Sequence, residues 1–363
     1  MTNASTQIAL DGLEKRFAGQ EKPALASLTA EIRSGAVTGL VGPDGAGKTT
    51  LLRMLAGLLT PSHGTLRVAN LDPIKEDRQL HAILGYMPQK FGLYEDLTVM
   101  ENLTLYADLR GITGDVRKET FDRLLSFTDL TRFTDRLAGK LSGGMKQKLG
   151  LACTLLGQPK VLLLDEPGVG VDPISRRELW HMVHELADDG MLILWSTSYL
   201  DEAEQCRDVL LLNEGELLYR GAPRDLTARM AGRCILIDTG DRRHRDVLQE
   251  ALRLPQVSDG VIQGQYVRLM LKPDADRTSL LSALHLEAGS LHDTDPRFED
   301  AFIDLLGGGP ASDSSLASIM PQIDVSGGET VIEAQALTKK FGDFAATDHV
   351  SFQVKRGEIF GLL

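Results

Sequence analysis

Hydrophobic positions along the 363-residue chain fall into three patterns. Continuous apolar runs occur at Val37 to Val41, Val161 to Leu164 and Leu192 to Trp195. Such runs fit central strands of a parallel sheet, covered on both faces. Helical periodicity follows from Thr49 to Leu59, and again in "RHRDVLQEALRL" and "RFEDAFIDLLG". Strict alternation in "CILIDT" and "YVRLMLK" predicts half-buried strands. The pattern therefore divides the chain. Residues 1 to about 232 read as an α/β domain with a helical insert around 92–156, and residues 233–306 as a small α+β domain.

Composition narrows the possibilities without deciding them. Hydrophobic residues at 42% and charged residues at 25% describe an ordinary globular protein. The net charge of −12 argues against a nucleic-acid partner, because phosphate neutralisation needs a basic face. Cys153, Cys206 and Cys234 have no paired ligand spacing, so neither a zinc site nor a disulfide framework is read. No apolar run approaches the ~18 residues of a membrane span. The start "MTNASTQIALDGLEKRF" lacks the apolar core of a signal peptide. The expected location is the cytoplasm, with any membrane role arising through partners.

The chemistry begins where the first apolar strand ends. In "VTGLVGPDGAGKTTLLRML" the residues Gly42, Pro43, Asp44, Gly45, Ala46, Gly47, Lys48, Thr49 and Thr50 form a P-loop between a strand and a helix. Glycines let the backbone wrap so that successive N–H groups point at phosphate oxygens, and the helix start adds its positive dipole end. Lys48 is placed to reach the β- and γ-phosphates of ATP, and the Thr49 hydroxyl to hold Mg²⁺. A second apolar strand in "KVLLLDEPG" ends on Asp165 and Glu166, at the edge where such sheets bind ligands. Asp165 suits a Mg²⁺-linked role and Glu166 the polarisation of attacking water.

Between these elements lies "LAGKLSGGMKQKLGLACTLLGQP". Its Leu141, Ser142, Gly143, Gly144, Met145, Lys146 and Gln147 begin 24 residues before Asp165. Ser142 and the two glycines open a helix and so offer another anion-binding end. In this position the stretch resembles the signature of the ATP-binding-cassette (ABC) ATPases. Three further residues match that family: Phe17, placed to stack on adenine, Gln89 as the Q-loop glutamine near Mg²⁺ and water, and Asp172 as the D-loop aspartate. Taken singly, they read as well as a core ring, a solvated loop and a helix cap before Pro173. Together, in this order, they are hard to produce by chance.

The resemblance covers almost the whole chain and is strongest to the tandem ATPase subunits of bacterial ABC-2-type drug exporters, the YbhF-like group. It implies a P-loop NTPase fold of ABC type: a parallel-sheet core with an antiparallel β subdomain and helical insert, followed by a small α+β accessory domain. It implies ATP and Mg²⁺ as ligands and ABC-2-type membrane permease subunits as partners, on the inner face of the cell membrane. It further implies a second nucleotide-binding domain packed head to tail, so that Ser142 to Gln147 serve the opposite site. Other readings are a soluble tandem ABC protein acting on ribosomes and a nucleotide-regulated clamp without turnover.

An internal repeat supports the tandem reading. "GLEKRF" at 12–17 recurs as "ALTKKF" at 336–341, and "IRSGAVTGLV" at 32–41 as "VKRGEIFGLL" at 354–363. Residues 307–329, rich in glycine and serine, read as a flexible linker. Residues 330–363 read as the beginning of a second nucleotide-binding domain, cut off at its first P-loop-bearing strand. Without a complete core they are expected to be disordered, borrowed by a neighbour or aggregation-prone.

One position departs from the family pattern. In "LILWSTSYLDEAE" the family's histidine, which contacts the γ-phosphate, is replaced by Ser198. A neutral, shorter side chain disfavours direct contact with phosphate. Ser198-x-x-Asp201 also resembles a capping box for the following helix. The expectation is a site that binds MgATP and hydrolyses it slowly.

Overall fold

The computed structural model describes residues 7–90, 92–309 and 328–361. The chain divides into two compact units, residues 1–309 and 310–363. The expected linker falls mostly on residues 310–327, outside the described residues.

The first unit opens with β1 (Gln7–Lys15), β2 (Leu25–Arg33) and β3 (Val37–Val41). β1 and β2 pair antiparallel and turn Ile8, Leu10, Leu13, Leu28, Ala30 and Ile32 inward. Helix α1 (Lys48–Leu55) follows the glycine turn and buries Leu51, Leu52, Met54 and Leu55. Then come β4 (His63–Val68), α2 (Asp77–Ile83) and β5 (Leu84–Met87). β4 completes a three-stranded antiparallel sheet in the order β2-β1-β4.

The helical insert contains α3 (Val99–Leu109), α4 (Gly114–Phe127) and α5 (Gly143–Leu155). A reciprocal capping box of Thr98 and Glu101 fixes the start of α3. The chain returns through β6 (Val161–Asp165), α6 (Pro173–Asp188), β7 (Leu192–Thr197) and α7 (Leu200–Ala203). β8 (Asp208–Asn213), β9 (Glu216–Gly221) and α8 (Pro223–Thr227) finish this part. The large sheet runs β5-β6-β7-β3-β8-β9, parallel except for the β8–β9 pair.

The continuous apolar runs occupy its centre, and their period of two explains why. Val37, Val41, Leu162, Leu164, Ile193 and Trp195 face one core, with the helical insert. Leu40, Val161, Leu163, Leu192 and Leu194 face the other, with α1 and the three-stranded sheet.

β10 (Cys234–Asp238), α9 (His244–Leu252), β11 (Val257–Gln263), β12 (Tyr266–Leu271), α10 (Arg277–Ala283), β13 (Leu291–Asp293) and α11 (Phe298–Leu305) follow. The sheet is antiparallel, in the order β11-β12-β10-β13, and has its own small core around Ile235, Val267 and Leu269. Helix α11 leaves that core. Phe298 and Ala301 join the cluster around Trp195, and α11 packs on α7 and α8. Buried Arg268 pairs with Asp300 at 2.6 Å, and Arg233 grips Asp304 at 2.6 and 3.0 Å.

The second unit is a hairpin of β14 (Thr330–Phe341) and β15 (Phe344–Lys355). Strands occupy Thr330–Phe341 and Phe344–Lys355 of the stretch for which disorder was one expectation. The hairpin repeats the register of the first one along most of its length. Ile8↔Ile32, Leu10↔Ala30 and Leu13↔Leu28 become Ile332↔Val354, Ala334↔Phe352 and Leu337↔Val350. The irregular positions repeat too: positive φ at Gly12 and Ser27 recurs at Ala336 and His349. The 2.9 Å bond from the Gly12 N–H to Thr29 recurs from the Ala336 N–H to Ser351. Burial separates the two copies, because Leu13 is 0% exposed and Leu337 is 52% exposed.

Candidate functional site

The P-loop lies between the carboxyl end of β3 and the start of α1. Its turn demands glycine at two points. Gly47 has φ +102, and a Cβ there would meet the Ala24 carbonyl oxygen at 2.5 Å; at Gly42 it would meet that of Leu212 at 2.2 Å. Pro43, Asp44 and Gly45 are exposed at the loop tip, whereas Ala46 is buried and Thr50 half-buried in the first turn of α1. The Lys48 side chain bends back over the loop. Its Nζ donates to the Gly42 oxygen at 2.7 Å and the Pro43 oxygen at 3.1 Å.

The parallel order places β6 two strands from β3, with β7 between them, so the carboxylates arrive beside the loop. Lys48 Nζ lies 3.0 Å from Glu166 Oε1, both side chains less than a tenth exposed. The Gln89 amide, from the loop after β5, donates to Glu166 Oε2 at 2.7 Å. The Thr49 hydroxyl donates to Asp165 Oδ1 at 3.1 Å. Lys48, Thr49, Gln89, Asp165 and Glu166 thus meet in one constellation.

Sequence reasoning missed two members. Ser196 follows the apolar run that ends at Trp195, and β7 continues through Thr197 and carries it into the site. Its hydroxyl donates to Asp165 Oδ1 at 2.8 Å and accepts the Glu166 N–H at 3.0 Å. Glu166 has φ +50, a left-handed conformation that costs a non-glycine residue about 1–3 kcal/mol and persists only where neighbours enforce it. Ser196 is one such neighbour. The second missed member is Tyr86, whose hydroxyl donates to Asp165 Oδ2 at 3.3 Å. Burial, then the Asp165 charge, pushes its phenol up to about 12. A polar residue closing an apolar strand at the carboxyl edge was the available signal for Ser196.

The capping box expected at Ser198 does not form. Helix α7 starts one residue later, with Tyr199 at its N-cap and no side-chain cap. The neighbouring Thr197 hydroxyl takes the Tyr199 N–H at 2.9 Å instead. An extended strand through Thr197 leaves Ser198 as a half-buried connector.

The other residues lie apart from this constellation. Ser142 is the N-cap of α5 and accepts the Met145 N–H at 3.3 Å. Gly143 and Gly144 press against Gly170 and Ser175, where a Cβ would meet backbone or side-chain atoms within 2.5 Å. Leu141 and Gln147 are buried, Met145 packs on the core, and Lys146 pairs with Glu95 at 2.7 Å. Asp172 caps α6 through the N–H groups of Ile174 and Ser175. The Ser175 contacts hold its carboxyl below the usual range. Phe17 is 37% exposed, with Lys15 Nζ 5.3 Å from its ring centre.

The donor set fits Mg²⁺. Thr49 and Asp165 offer oxygens 3.1 Å apart at one edge, and Gln89 is bonded to the adjacent Glu166. Among the described residues no cluster of three His, Cys, Asp or Glu could cage a metal alone. One carboxylate and one hydroxyl are the protein oxygens that a hard ion takes when waters and substrate phosphates supply the rest.

Comparison with known proteins follows the same line. The family model described as ABC transporter matches residues 25–169. The chain is 33% identical to the daunorubicin resistance ATP-binding protein DrrA3 of Streptomyces coeruleorubidus, over 84% of this chain and 97% of that protein. The chain belongs to the ABC transporter ATP-binding proteins. Within the family it is 70% identical to the probable multidrug ABC transporter ATP-binding protein YbhF of Escherichia coli (strain K12), over 98% of this chain. The alignment spans 62% of that relative's length. Among solved structures, an ATP-binding subunit of an ABC transporter matches with TM-score 0.56 at 28% identity, over 62% of this chain and 93% of that one. A dimeric bacterial ABC transporter cassette matches with TM-score 0.55 at 25% identity, over 59% and 98%. These ABC relatives share the P-loop fold on which the constellation is built.

Proposed function

We propose that the chain is the ATP-hydrolysing component of an exporter, coupling MgATP binding and hydrolysis to small-molecule efflux through separate membrane subunits. The observation that carries this reading is the grouping of Lys48, Thr49, Gln89, Asp165 and Glu166 at the carboxyl edge of the large sheet. Phosphates bound in the loop take the Lys48 ammonium from the Gly42 and Pro43 carbonyls. Thr49 and Asp165 would hold Mg²⁺, with Gln89 near them, and bound there it would supply charge neutralisation for phosphoryl transfer. Glu166 accepts the proton of the attacking water, positioned by the Gln89 amide. Phe17 stacks on adenine.

Ser142 to Gln147 and Asp172 complete the opposite site of a second nucleotide-binding domain, in a tandem arrangement or a homodimer. The transported class suggested by DrrA3 and YbhF is a drug. ABC-2-type permease subunits would dock beside Gln89 at the cytoplasmic face of the membrane. A second reading, a nucleotide clamp with slow turnover, rests on Ser198 in place of histidine.

Phosphate release with MgATP, in the presence of the second nucleotide-binding domain and membrane subunits, tests both. Lys48→Ala is expected to weaken ATP binding at least tenfold, and Glu166→Gln to abolish turnover at this site with binding retained. Faster release from Ser198→His than from the parent supports slow turnover here. Release on the order of 1 per second or more from the parent, lost in Glu166→Gln, rejects it.

A further inference from the structure

Glu202 is the buried acid that the mechanism above leaves unused. It sits in α7, is 2% exposed, and has one carboxylate oxygen without a hydrogen-bond partner. A buried carboxylate with an unsatisfied oxygen costs free energy, so its retention calls for an explanation. Its surroundings are specific. Trp195 Nε1 donates to Glu202 Oε2 at 2.9 Å. The other oxygen, Oε1, lies against Gly168, where an added Cβ would come within 2.1 Å of it. Arg176 of α6 stands 3.9 Å from the same oxygen and also reaches Asp201 at 3.4 Å. Burial pushes the carboxyl above its ordinary range, opposed by contacts from Thr197, Trp195 and Arg176.

Gly168 is two residues beyond Glu166, in the turn closed by the Val169 N–H donating to the Glu166 oxygen at 3.2 Å. A side chain at 168 would meet the Glu202 carboxylate, so either that carboxylate leaves its place beside Trp195 or the turn that holds Glu166 at positive φ shifts. Resting on the ATPase reading above, we infer that Glu202 is a positioning residue for Glu166. It braces the turn after β6 from α7 and ties it to Trp195 of β7 and Arg176 of α6. Two residues on, the Glu204 carboxylate accepts the Phe298 N–H at 3.0 Å, so the same short helix also holds the start of α11. The brace therefore joins the hydrolytic turn to the small sheet.

Two readouts test it. The chain's two tryptophans, Trp180 and Trp195, stack at 4.1 Å, so tryptophan emission reports on the ring bonded to Glu202. Glu202→Gln keeps the size and one acceptor while removing the charge. With labelled ATP as the binding probe and phosphate release as the rate, Glu202→Gln is expected to lower kcat about tenfold. KM and ATP affinity should change less than twofold. The emission change that MgATP produces in the parent is expected to be at least halved in the variant. Gly168→Ala should give the same kcat loss, and the double variant should be no slower than either single one.

Parent-like kcat and emission response in Glu202→Gln would overturn the inference. So would additive losses in the double variant, or a loss of ATP affinity together with melting temperature, which marks a packing role. A parent that binds MgATP without releasing phosphate defeats the ATPase reading, and the emission comparison still decides the brace.

Discussion

At the scale of single residues, the site depends on hydroxyls as much as on carboxylates. Ser196 touches both acids at once, accepting from the Glu166 backbone and donating to Asp165. Removing it leaves a buried carboxylate and a strained N–H short of one partner each, a loss of about 1–3 kcal/mol. Ser196→Ala is therefore expected to lower the rate of phosphate release roughly tenfold. ATP affinity should stay within about twofold, because Lys48 and the loop are untouched. Ser196→Thr, which restores the hydroxyl, should recover most of the rate. A parent-like rate in Ser196→Ala, measured beside equilibrium ATP binding, would show that the other neighbours hold Glu166 unaided.

At the scale of elements, α11 is held in place by buried and half-buried ion pairs. Asp300 accepts from Arg268 at 2.6 Å and from the Arg297 N–H at 2.7 Å, and Cys234 Sγ lies 3.4 Å away. Arg268 is 4% exposed, so losing its partner strands a buried guanidinium. Breaking such a pair from one side costs about 3–5 kcal/mol. Asp300→Ala is expected to lower the unfolding free energy obtained from urea denaturation by an amount near that range. A drop under 1 kcal/mol would mean that Thr294 and Asp295, the other partners of Arg268, suffice.

The helical periodicity of "RFEDAFIDLLG" foretold α11, because Phe298, Ala301 and Phe302 recur on one face. Nothing local says that this face leaves the small sheet and packs on α7 and α8. The same limit applies to α7: first-turn acids Asp201 and Glu202 were legible as a helix start, but the cap was not. Thr197 rather than Ser198 took the free N–H, since the strand ran two residues further than the apolar run.

At the scale of the molecule, one hairpin occurs twice with different fates. Its pairing, its positive-φ positions and a hydroxyl bond are copied from β1–β2 to β14–β15. In the first unit the inner face lies in the core, with Leu13 and Ile8 fully buried. In the second, Ile332, Leu337 and Val350 stand exposed. Identical local chemistry should therefore give opposite responses to charge. Leu13→Lys buries an unpaired ammonium and is expected to prevent folding of the first unit, or to destabilise it by several kcal/mol. Leu337→Lys should leave its melting temperature unchanged and reduce self-association, read by light scattering, because it breaks an exposed apolar strand face. Equal destabilisation by both would show that the second hairpin's apolar face is covered in solution.

The sequence by itself determined the strand–loop–helix context of the P-loop, the acids after the second apolar strand, the helix start at Ser142 and the repeat. Each of these is a local matter of period, glycine placement or capping, which a few neighbouring residues settle. Only the tertiary structure decided that Ser196 lies between Asp165 and Glu166, that Tyr86 reaches Asp165, and that Glu202 presses on Gly168. Those contacts join residues up to 79 positions apart. The order of strands in the sheet places them together, and that order is set by packing across both faces rather than by any residue's own preference.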